Sequence, residues 1–120
     1  MALLIKSPSI VKAAGNKEKL IKEYFGRVNS KTSEVSIAMM KSPQGWEEPG
    51  QTPDFNEYTV VLKGNLKIRT KKEQIIVSAG EAVMTMKGEW VKSSTPMKGG
   101  AEYIAVCIPA FSPSTVNRDE

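Results

Sequence analysis

Four oxygen-bearing side chains lie where metal or proton chemistry could be housed: Glu48, Gln51 and Glu57 in GWEEPGQTPDFNEYTVVLKG (45–64), and Glu89 in MKGEWV (86–91). Carboxylates move protons, and together with amide oxygens they bind hard divalent cations such as Mn or Mg. The 120-residue chain contains no histidine and a single cysteine, Cys107. Zinc or iron held by imidazole or several thiolates is therefore disfavoured. Cys107 sits in the apolar run YIAVCIPAF. A thiolate nucleophile there would need a neighbouring base or cation, whereas a small buried hydrophobe needs nothing.

The elements that must position these groups read as β-structure from residue 34 onward. SEVSIAMMK alternates, with Val35, Ile37 and Met39 on one face. EYTVVLKG reads as a strand ending in a turn at Gly64. NLKIRTKKEQIIVSAG reads as a hairpin turning at Lys71-Lys72, and EAVMTMKG, EWVKSSTP and AEYIAVCIPAF follow as short strands. Strands this short, bounded by Gly, Pro, Ser and Asn, predict an antiparallel sandwich or barrel. Before them, NKEKLIKEYFG predicts a short helix. Asn16 caps it, Glu18 sits in its first turn, Leu20, Ile21, Tyr24 and Phe25 share a face, and Gly26 ends it. The expected organisation is an N-terminal extension (1–33) packed on a barrel (34–112), with a polar tail (113–120), all in one domain.

The spacing of the central segments resembles the cupin family of double-stranded β-helices, or jelly rolls. The first cupin motif, G-x5-H-x-H-x3-E-x6-G, falls on Gly45, Gln51, Pro53, Glu57 and Gly64. The second, G-x5-P-x-G-x2-H-x3-N, falls on Gly80, Met86, Gly88, Val91 and Thr95. The glycines and Glu57 agree, and every histidine place departs. The resemblance implies an all-β cupin barrel over roughly residues 34–110. In the family, three histidines and a glutamate hold a divalent metal, so the same resemblance implies that this metal site is lost here. The ethanolamine-utilisation cupins are similar in having an altered motif. An oxygen-only site for Mn, built from Gln51, Glu57, Glu48 and Glu89, is the alternative to no cofactor.

A barrel interior is lined by alternate residues of each strand. Glu57, Thr59 and Val61 are expected to face inward with Gln51 nearby. Parity alone leaves open whether Met84 and Met86 or Val83 and Thr85 do so. Tyr103 shares a face with Ala105 and Cys107. A carboxylate inside such a barrel is costly unless it is paired or protonated, which makes Glu57 the candidate ligand-binding group or general acid/base. Glu48, Trp90, Met84, Met86 and Tyr103 complete the expected binding set.

The favoured function is therefore small-molecule binding. An enzyme, or an interaction module using the basic N-terminal segment, is the alternative. Net charge is +4 and uneven: residues 1–33 carry seven Lys or Arg and two Glu, the remainder ten against eleven. With no aromatic interleaving and no nucleic-acid motif, this reads as a solvated surface and makes a nucleic-acid partner unlikely in composition terms. No apolar run approaches the roughly 18 residues of a membrane span, and MALLIKSPS lacks the pattern of a signal peptide. A cytoplasmic protein is the expectation, with a homodimer covering exposed sheet edges through VKAAGN and IPAFSP.

Overall fold

A computed structural model describes residues 1–119; the last residue of the 113–120 tail lies outside the described residues. Among them are nine strands: β1 (Ser9–Val11), β2 (Leu20–Phe25), β3 (Ser36–Ser42), β4 (Trp46–Glu47), β5 (Asn56–Thr70), β6 (Gln74–Ser78), β7 (Ala82–Thr85), β8 (Val91–Thr95) and β9 (Ala101–Ile108). All pairings are antiparallel. One sheet runs β1-β2-β3-β9-β5, with β7 on the other side of β5. The second is built on the later half of β5, which pairs with β6 and β8, and β8 pairs with β4.

The expected helix is absent. Residues 20–25 form β2, paired with β1 on one side and β3 on the other. A segment of two and a half turns cannot sustain a helix without docking, and Ile, Tyr and Phe fit a pleated, half-buried surface well. The free edge of β3 supplies the partner. A bulge between Glu23 and Phe25 adjusts the register, and the buried Glu23 carboxylate accepts the backbone N–H groups of Val28 (3.0 Å) and Asn29 (2.8 Å).

EYTVVLKG and NLKIRT are one continuous strand, not two. Gly64 lets β5 bend from one sheet into the other at φ 74°. A Cβ on Gly64 would collide with the carbonyl oxygen of Gly100, and one on Gly100 with that of Ser42. The backbones thus approach most closely at this corner, where only glycine fits. The expected hairpin at Lys71-Lys72 is present as the β5–β6 connection.

The core lies between the sheets. Val61, Leu66, Ile68, Val77, Ala101 and Tyr103 form one buried cluster, and Phe55, Cys107 and Val116 form a second against Phe111. The described part of the tail docks through Val116 and through backbone bonds from Asp54 N–H to Thr115 (2.9 Å) and from Asp119 N–H to Gly50 (2.8 Å).

Gly64 and Gly80 share a left-handed backbone, but a Cβ on Gly80 would meet nothing within 4 Å. Gly80→Ala therefore carries only conformational strain, about 1 kcal/mol, whereas Gly64→Ala adds a backbone collision and loses roughly 3 kcal/mol. Urea unfolding of the two variants checks the difference, and equal losses would refute the corner argument.

Candidate binding site

The interior of the barrel holds a cavity of about 90 Å³, several times the roughly 10–15 Å³ that a single water requires. Strand alternation decides what reaches it. Glu57 and Thr59 project inward from β5, and Tyr103, Ala105 and Cys107 from β9, while Tyr58 and Val60 face out. On β7 the inward places belong to Val83 and Thr85; Met84 and Met86 are about half exposed on the outer side. Residues 11–14 and Lys19 form a further wall. Trp46, 1% exposed, fixes that segment by donating its indole N–H to the Ala14 carbonyl at 3.0 Å.

Three carboxyl groups line the cavity: Glu23, whose Oε2 accepts the Val28 and Asn29 N–H groups, and Glu48 and Glu57. Glu57 lies opposite Cys107 in the β5–β9 register, and the thiol sits 3.8 Å from its Oε2 as a weak donor. Burial raises the Glu57 pKa, partly offset by the Lys19 charge and the thiol. Burial likewise pushes Glu48 up to about 7, with Lys19 and the Ser93 N–H pulling it down and Glu57 adding to the rise. That Ser93 N–H reaches Glu48 Oε2 at 3.3 Å. Cys107 is held neutral because burial, and then the adjacent Glu57, push its pKa far up. A neutral buried thiol is a poor nucleophile.

The structure brings together Gln51, Glu48, Glu57 and Tyr103 around one cavity. Gln51 is anchored by paired backbone bonds with Val91 (2.9 and 2.8 Å), and the Tyr103 hydroxyl bonds to Ser42 (2.8 Å). Trp90 is placed elsewhere: its N–H bonds to Asp119 (2.8 Å), and Lys71 and Arg69 lie over its ring. Glu89 is exposed and away from the cavity. The neighbours Glu47 and Glu48 divide: Glu47 pairs with Lys92 at 2.6 Å and Glu48 turns inward.

The group that sequence reasoning missed is Lys19. Its ammonium lies 4.1 Å from the centroid of the Trp46 ring and 5.2 Å from that of Tyr103. Read as helix, this lysine falls on a solvated face. The signal was the strand period: Lys19, Ile21 and Glu23 are two apart, and all three line the cavity.

The metal of the cupin family does not fit these residues. Among the described residues no three His, Cys, Asp or Glu side chains converge. Pro53 and Val91 occupy histidine places without a donor atom, and the Lys19 ammonium stands by Glu48 and Glu57.

No protein-family model matches the chain. Over 101 residues it is 36% identical to a Myxococcus xanthus protein named endoribonuclease YbeY; the alignment covers 84% of this chain and 34% of that one. The chain thus spans about a third of the length of its curated relative. Among solved structures it is similar to the Clostridium difficile EutQ protein (25% identity, 77% of this chain and 63% of that one, TM-score 0.64). It is also similar to an RmlC-like cupin from Shewanella frigidimarina (14%, 90% and 89%, TM-score 0.71). A third likeness is to a predicted oxalate decarboxylase from Thermotoga maritima (18%, 91% and 99%, TM-score 0.72). The chain spans just under two thirds of the EutQ protein. With the motif spacing and the curled antiparallel sheets, these likenesses show a cupin fold. The chain carries no imidazole, and the charged groups lining its interior are Glu23, Glu48 and Glu57 with Lys12, Lys19 and Arg118.

Glu48 faces Lys19, Glu57, Arg118 and the Ser93 backbone. Its folded pKa, about 7, lies above the ordinary value of 4.5, so the folded state holds the proton more tightly. That contribution to stability is fully present below about 4.5 and is lost as pH rises to about 7. Thermal unfolding should fall in Tm between pH 5 and pH 8, and Glu48→Gln should flatten the fall, gaining more over wild type at pH 8 than at pH 5. Parallel curves would refute the assignment.

Proposed function

We propose that this protein binds a small polar molecule inside the barrel, in contact with Glu57 and Glu48, without a resident metal. One observation carries the reading: Glu48, Glu57 and the Lys19 ammonium, with Glu23, Lys12 and Arg118 also in the lining, converge on a cavity whose remaining walls are largely apolar. Ligand sites have this composition, with a few polar groups fixing orientation amid apolar surface. The endoribonuclease name belongs to a protein of which this chain spans about a third, so no nuclease activity is carried over. A reducing compartment such as the cytoplasm suits the single buried thiol. Among the described residues, no helix is long and apolar enough to cross a membrane.

A fragment screen followed by amide NMR shifts tests the reading. Binders should perturb residues around Glu57 on β5, Cys107 on β9 and Ser93 on β8. Glu57→Gln should keep the fold and weaken those binders about tenfold, the scale of one hydrogen bond to a charged group. Shifts confined to the outer surface would sink the proposal.

A second reading is proton transfer by the same pair, favoured by the titration of Glu48 near neutrality. It requires that a bound carbon acid exchange hydrogen with deuterated solvent, and that Glu48→Gln slow the exchange.

For the homodimer, the surface that fits best is not the terminal segments. VKAAGN is spent on the cavity wall. The outer face of the first sheet carries half-exposed Tyr58, Val60, Leu62, Met84 and Ile108, and the register runs Met39–Ile104–Val60 and Ile37–Val106–Tyr58–Met84 straight across the strands. A contiguous apolar face of this kind suits a second copy of the chain. Light scattering should find a dimer that Val60→Glu converts to monomer; a wild-type monomer would refute it.

A further inference from the structure

Lys19 is an ammonium with unspent bonds. It lies over Trp46 and Tyr103 at the cavity wall. The ion pairs among the described residues are Lys63–Glu102 and Lys92–Glu47; Lys19 is in neither, and it donates no hydrogen bond to a protein acceptor among them. Yet its charge acts on both Glu48 and Glu57. The cation and the carboxyls therefore face one cavity across a gap, close enough to feel each other and too far apart to bond.

Such a gap specifies its occupant. An ammonium held over aromatic faces retains N–H groups for an anionic oxygen. Across from it, Glu57 has only the thiol as a donor among the described residues, leaving its oxygens for a hydroxyl or ammonium of the ligand. A phosphate ester brings about 1.5–2 negative charges into a lining whose three basic side chains, Lys12, Lys19 and Arg118, already face three carboxyls, Glu23, Glu48 and Glu57. A dicarboxylate would set a further carboxylate against Glu48 and Glu57, which like charges oppose. The cavity's size, about 90 Å³, restricts the carbon chain to a few atoms.

Building on the proposed small-molecule site, we infer that the occupant is a short monocarboxylic acid bearing a hydroxyl or ammonium group, with its carboxylate on Lys19 and that second group on Glu57 and Glu48. Lys19 is then the specificity-determining residue of the barrel, placed there by strand β2, which the N-terminal segment adds to the first sheet.

Calorimetric titration of the full chain at neutral pH with glycolate, glycine, propionate and oxalate tests this. Glycolate or glycine should bind at least about tenfold more tightly than propionate, which lacks the second group, and than oxalate, which adds a charge. Lys19→Met should abolish that binding and Lys19→Arg should restore part of it, each with an unchanged Tm. Glu57→Gln should reduce the preference over propionate. Equal binding of propionate or oxalate, undiminished binding by Lys19→Met, or no binding of glycolate and glycine at millimolar concentration would each overturn the inference. If the acids fail while other fragments perturb the cavity, the ligand class falls and the binding site stands. If nothing enters, both fall.

Discussion

The corner at Gly64 is the constraint on which the rest depends. Strand β5 pairs with four others, β6, β7, β8 and β9, and it does so by serving one sheet before the bend and the other after it. The bend needs positive φ and a backbone-to-backbone approach to Gly100, which in turn lies against the Ser42 carbonyl. Three chain segments thus meet where no side chain fits, and their direction there determines which faces of β3, β5 and β9 look into the cavity. Glu57 faces inward because alternation runs unbroken from it through Thr59 to buried Val61, and the register shifts only beyond Val61, on the way to the corner.

The interior shows how a cupin fold with no histidine arranges its buried charges. Burying carboxyls without a cation raises their proton affinity, and Glu48 and Glu57 both show the shift. Here compensating positive charge comes from Lys19, at the head of an added strand, and for Glu48 also from Arg118. Unlike a metal ion, Lys19 is tethered at a fixed place and has a fixed charge of one, so the barrel's polarity is set by the chain itself. The thiol beside Glu57 takes its place as a neutral donor.

Much of this was legible beforehand. The glycines at 45, 64, 80 and 88 kept the family spacing, and all four have positive φ; such positions are dictated locally by backbone sterics. Glu57 was legible for the same reason, since its motif place fixes its parity on β5. What failed was non-local. LIKEYF fits helix and strand about equally, and only the open edge of β3 decided between them. Missing that strand also meant missing Lys19. The parity of β7 was beyond sequence because either face of VMTM, Val83 with Thr85 or Met84 with Met86, suits an interior, and Trp90 was drawn off by Asp119, 29 residues further on.

The segment from residue 11 to 19 forms part of the cavity wall and yet is held by a small set of bonds: Asn16 to Gly45 and Glu47, Lys17 to Gln44, and Ala14 to Trp46. An occupant touching Lys19 shares a binding equilibrium with that docking. By mass action, whatever fills the barrel also fastens the N-terminal strands to it. Proteolytic susceptibility near Gly15 would therefore report on an event inside the barrel, giving the protein an outward sign of whether it is loaded.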